Sequence, residues 1–80
     1  MTDTEKLRTL IERKGLKLKF VAECLGLSPY GLQLKIENKR EFKTSEVAKL
    51  CEILDITSLR EKEEIFFTNK DDYKSSKEEV

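Results

Sequence analysis

The sequence predicts an all-α domain of four to five short helices, on three observations. Apolar residues recur at i, i+3, i+4 and i+7 along most of the chain, and no stretch alternates as a strand would. Serine, threonine and glycine fall at the edges of those stripes, where helix caps belong. Eighty residues, 40% charged and 38% apolar, suit one small core under a charged exterior.

Each element has its own local cause. Thr2 followed by Glu5 reads as a capping box, and Leu7, Leu10 and Ile11 then share one face, with Gly15 as the stop. Leu18, Val21, Ala22 and Leu25 form a second stripe, widened by Phe20 and Cys24 and ended by Gly26. A short helix apolar on nearly every side is expected to be buried on most of them.

Ser28-Pro29 looks like a helix breaker but is a start signal. Serine is a strong N-cap, and proline at the first helical position gives up only an amide that has no partner there. Leu32 and Ile36 then face inward, and the third helix is expected to end near Asn38. Thr44 or Ser45 opens a fourth helix with Val47, Leu50, Cys51 and Leu54 on one side. Ser58 with Glu61 caps a fifth, running to about Phe67. From Thr68 on, only Tyr73 and Val80 are apolar, so residues 1–67 read as the domain and 68–80 as a flexible polar tail.

Composition narrows the function. There is no histidine, and Cys24 and Cys51 lie far apart within apolar stripes, as reduced, buried small hydrophobes do. Two thiolates complete no usual four-ligand zinc site, and a histidine-dependent triad is excluded. No catalytic residues, metal, cofactor or small-molecule ligand is implied, so an enzyme is not expected. No apolar run approaches the roughly 20 residues that span a bilayer, and no secretory start is evident. A cytoplasmic protein without membrane contact is the expectation.

Formal charge is zero but unevenly spread. Residues 1–60 hold twelve Lys/Arg against nine Asp/Glu, whereas residues 61–80 hold four against seven. Between Arg13 and Lys43 eight basic residues face three acidic ones, a local excess of five that suits a polyanion as partner. A merely solvated face is the alternative.

Two short helices joined by a tight glycine turn, the second freshly capped, form a helix-turn-helix. Ala22 allows the helices to cross closely, Gly26 supplies a positive φ, and Leu27 and Leu32 anchor the second helix from beneath. With Leu32 inward, Tyr30, Gln33, Leu34 and Glu37 point away from the core and Pro29 lies at the edge.

Gly15-Leu16, Val21-Ala22-Glu23, Leu25-Gly26-Leu27-Ser28, Leu32 and Ile36-Glu37-Asn38-Lys39-Arg40 together resemble the Cro/repressor-type helix-turn-helix family. Asn38-Lys39, Glu41-Phe42, Thr44-Ser45-Glu46, Cys51-Glu52-Ile53-Leu54 and Ile65-Phe66-Phe67 are similar to small Cro-like regulators of phages and mobile elements of Gram-positive bacteria. The likeness covers roughly residues 5–67. It departs at Lys35, where the wider family has its second inward apolar residue; here Ile36 is the apolar one.

The resemblance implies a compact lambda-repressor-like domain whose third helix enters the major groove of double-stranded operator DNA. Pro29, Tyr30, Gln33 and Leu34 are the implied base contacts, with Gln33 suited to pair with adenine through both amide atoms. Lys17 and Lys19 on one side, Lys35, Lys39, Arg40 and Lys43 on the other, and Ser28 in addition to capping the helix, are the implied phosphate contacts. Family members usually bind as dimers, and Ile65, Phe66 and Phe67 are candidates for a homodimer contact. Blander readings stand beside these: Gln33 as an ordinary surface residue, Tyr30 packed on the second helix, and Ile65 and Phe66 closing the core. A repressor is the function expected; a protein-binding antirepressor- or antitoxin-like module on the same scaffold is the alternative.

Overall fold

In the computed structural model, which describes residues 1–68, five helices follow one another: α1 (Thr4–Arg13), α2 (Leu18–Leu25), α3 (Pro29–Ile36), α4 (Thr44–Ile53) and α5 (Leu59–Phe66). Among the described residues there is no strand. The tail expected over 68–80 lies outside the described residues except for Thr68.

The stripes read along the sequence meet in one core. Leu7 and Ile11 of α1, Val21 and Ala22 of α2, Leu32 and Ile36 of α3, and Val47 and Leu50 of α4 are all buried, together with Leu54, Ile56, Ile65 and Phe66. Each large apolar side chain withdrawn from water contributes about 1.5–3 kcal/mol. α2 packs on α3 and α4, while α1 bridges α3 and α5. Phe42, between α3 and α4, meets Phe66 edge to face, with centroids 5.9 Å apart and planes at 86°.

Several boundaries differ from expectation, for local reasons. The N-cap of α1 is Asp3, whose carboxylate accepts from Lys6 N at 3.1 Å; Thr2 does not cap. Thr2 is buried because its backbone is clamped by Asn38: the Thr2 N–H donates to Asn38 Oδ1 at 2.8 Å, and Asn38 Nδ2 donates to the Thr2 carbonyl at 2.7 Å. α3 stops at Ile36, and Asn38 takes φ +65, a left-handed backbone that asparagine tolerates better than most residues. Asp3 N–H also donates to the Ile65 carbonyl at 2.6 Å, and Thr68 N–H to the Met1 carbonyl at 3.0 Å. The N-terminal segment therefore closes against the C-terminal end of α3 and the end of α5.

α2 is less buried than its composition suggests. Val21 and Ala22 are covered, but Phe20 is 47% exposed and Leu18 is also exposed. An eight-residue helix resting on one side of a small domain has too few neighbours to cover every face. Cys24 and Cys51 are free and half-buried, not buried, and partial burial raises the Cys51 thiol above its ordinary pKa.

α4 is capped from Lys43, one residue before the expected Thr44 or Ser45. The Glu46 carboxylate reaches back to accept from Lys43 N–H at 2.8 Å. Ser58 caps α5, its hydroxyl oxygen accepting from Glu61 N–H at 3.3 Å. Ile65 and Phe66 keep only 3% and 4% exposure and belong to the core, so neither is free for a dimer contact; Phe67 is 53% exposed.

Candidate nucleic-acid interface

The turn between α2 and α3 is built as its residues require. Gly26 closes α2 in the left-handed region at φ +72, where a side chain would be strained. Leu27 N–H then donates to the Ala22 carbonyl at 2.9 Å, and Ala22, fully buried, lets α3 cross close by. The Ser28 hydroxyl oxygen accepts from Gly31 N–H at 3.0 Å, with Pro29 at the first helical position. A Cβ on Gly31 would sit 3.2 Å from that Ser28 oxygen, so glycine keeps the cap uncrowded.

Leu32 and Ile36 seat α3 on the core with no exposure, leaving the opposite flank to solvent. Tyr30 stands out at 72% exposed, Pro29 and Gln33 are exposed beside it, and Leu34 is half-buried. Gln33 does not hang free. Its Nε2 donates to Glu37 Oε2 at 3.2 Å, and the same oxygen accepts from Arg8 Nη2 at 2.9 Å. The hydrogen bonds from Gln33 and Arg8 hold the Glu37 carboxyl below its ordinary pKa of 4.5.

Basic residues flank this helix in the chain. Lys17 and Lys19 are exposed at the start of α2, and Lys39, Arg40 and Lys43 are exposed in the segment joining α3 to α4; Ser28 is exposed as well.

Lys35 is the exception among the expected phosphate contacts. Only 8% exposed, it donates to Glu46 Oε1 at 2.6 Å and cannot offer its charge to a phosphate without abandoning a buried partner. Burial alone would raise the Glu46 carboxyl, but hydrogen bonds from Lys35 and from Lys43 N–H outweigh it and hold the group below its ordinary value. On the helical wheel Lys35 lies beside Leu32, on the side that meets α4. The position where the wider family has an inward apolar residue thus stays inward here, occupied by a paired ammonium, and Ile36 is buried too.

Two residues that organise the site went unassigned from sequence. Arg8 restrains Glu37, and Asn38 ties the end of α3 to the N-terminal segment. The Asn38 role had a usable signal, an asparagine just past a helix end; the Arg8 role had none, because it spans 29 positions.

An exposed helix seated across a tight glycine turn on its predecessor, within an all-helical core, defines a helix-turn-helix domain. The family model described as the Cro/C1-type HTH DNA-binding domain matches residues 6–60, and the chain belongs to that family. Its family role is that of a DNA-binding regulator. Neither the curated proteins nor the solved structures contain a match to the chain. Among the described residues no helix is long and apolar enough to cross a membrane.

Proposed function

We propose that this protein is a Cro-like repressor that occupies a double-stranded DNA operator as a homodimer in the cytoplasm. The observation that carries this reading is the uncovered flank of α3, where Pro29, Tyr30 and Gln33 are exposed on a helix anchored beneath by Leu32 and Ile36. In this reading Tyr30 and Gln33 meet base edges, Pro29 and the half-buried Leu34 add apolar contact, and Ser28 serves both cap and phosphate. Lys17 and Lys19 hold the backbone on one side, and Lys39, Arg40 and Lys43 on the other. Such contacts set register and carry no sequence information.

Dimerisation rests on Phe67 alone of the three residues first considered. It lines a shallow groove with Leu59, Lys62 and Glu63, and Leu59 is itself exposed. A dimer of this class reads two half-sites about 34 Å apart. The likeness of residues 38–67 to small Cro-like proteins supports a regulator from a phage or mobile element.

Selection from a random duplex pool tests the reading. A palindromic consensus is expected, bound with an affinity that falls by about 0.9 log units per log unit of salt for each phosphate contact. Enrichment of nothing would reject DNA binding. It would favour the protein-binding alternative, for which the exposed Phe20 and Leu18 of α2 are the supporting observation.

A further inference from the structure

We propose that Glu37 restricts Gln33 to reading adenine, by consuming one amide hydrogen and fixing which way the amide faces. This rests on the reading of α3 as the base-contacting helix and deepens it.

A carboxylate only accepts hydrogen bonds, so the Gln33 atom 3.2 Å from Glu37 Oε2 is necessarily the nitrogen Nε2. The amide cannot turn over without placing two acceptor oxygens against each other. Glu37 is itself restrained, because Arg8 of α1 donates to the same oxygen at 2.9 Å. What Gln33 has left is one N–H and the Oε1 acceptor.

Adenine presents the matching pair in the major groove, an N7 acceptor beside an N6 donor. Guanine presents two acceptors, N7 and O6, and to satisfy both a glutamine must aim both its Nε2 hydrogens at the base. With one hydrogen held by Glu37, guanine gains a single bond and sets its O6 against Gln33 Oε1. Glu37 is thus a positioning residue that touches no base yet decides which purine is accepted. Arg8 steadies its carboxylate from the first helix, and the choice itself rests on Glu37 one turn along from Gln33.

The test uses the full chain and a random 20-base-pair duplex pool. Wild type is expected to select adenine at one position per half-site, and Gln33→Ala to lose selection there alone. Glu37→Ala is expected to admit guanine at that same position, the adenine-to-guanine preference falling by about tenfold, within the range a good bidentate contact discriminates. Other positions of the consensus should be unchanged. Arg8→Leu separates base choice from stability: it should lower the melting temperature while keeping adenine preferred, since Glu37 remains one turn along from Gln33.

An unchanged purine ratio in Glu37→Ala, or an equal loss at every position, would overturn the inference while leaving DNA recognition intact. A pool from which wild type enriches nothing would overturn both. Should Glu37→Ala fold poorly, Glu37→Gln serves instead, since its own amide can accept from or donate to Gln33 and so frees the flip; retained adenine choice there would also overturn the inference.

Discussion

Lys35 Nζ lies 2.6 Å from Glu46 Oε1 with only 9% of either side chain exposed, tying α3 to the first turn of α4. An ion pair this deep is offset by the cost of dehydrating both charges, so its effect is seen chiefly when one partner is lost. Glu46→Leu, which strands the ammonium, is expected to cost about 3–5 kcal/mol in urea unfolding. Adding Lys35→Met should recover most of that loss. A double variant no better than the single would show that the damage came from packing or from the lost cap on Lys43 N–H, and not from the unpaired charge.

Acid should weaken the fold through the same carboxylate. Glu46 and Glu37 are both held below the ordinary 4.5, so their stabilisation is complete above that value and is lost as pH falls through the folded-state pKa. The melting temperature should be flat from neutrality to about pH 5.5 and decline below about pH 4.5. Glu37, exposed to solvent screening, contributes the smaller part. The Lys35→Met, Glu46→Leu protein should decline less steeply; parallel acid curves for the two proteins would contradict the assignment.

Asn38 combines a left-handed backbone with two hydrogen bonds to Thr2, and substitution separates the two effects. Asn38→Gly removes only the bonds, each worth about 0.5–1.5 kcal/mol net. Asn38→Ala adds the left-handed strain, a further 1–2 kcal/mol or so. Glycine should therefore be the milder change in denaturant titration, and the reverse order would mean that the backbone is not strained there.

Phe66 and Phe67 are neighbours with opposite environments. Phe66→Ala empties a core site beside Phe42 and should cost about 3–5 kcal/mol. Phe67→Asp is expected to change stability by no more than about 0.5 kcal/mol. In sedimentation it should yield a folded monomer that binds operator more weakly; unchanged dimerisation would move the interface elsewhere.

On DNA, Gln33→Ala and Lys39→Ala should part company. The first should relax selection at one base pair with a loss of about 1–3 kcal/mol; the second should weaken all sequences alike and reduce the salt slope by about one. Binding isotherms on consensus and point-altered duplexes at several salt concentrations distinguish these outcomes. Identical behaviour would erase the division between reading and anchoring residues.

Much of this molecule follows from signals a few residues long. Five helices, the Ser28-Pro29 start, the Gly26 turn and the inward set Leu7, Val21, Leu32, Ile36 and Leu50 are all legible in order along the chain, because caps and helical periodicity act between near neighbours. The exposed Tyr30 and Gln33 are legible too, once Leu32 is known to face inward.

What only the tertiary structure decided concerns side chains whose partners are distant in sequence. Lys35 reads as one more surface lysine until α4 brings Glu46 against it, eleven positions on. Ile65 and Phe66 become core, and Phe67 surface, according to where α5 lands on α1 and Phe42. Arg8 reaches Glu37, and Asn38 reaches Thr2, across 29 and 36 positions. The physical reason is one of range: a cap or an apolar stripe is satisfied within a turn or two, whereas a buried charge or a long polar side chain takes whichever partner the finished packing leaves within 3 Å or so.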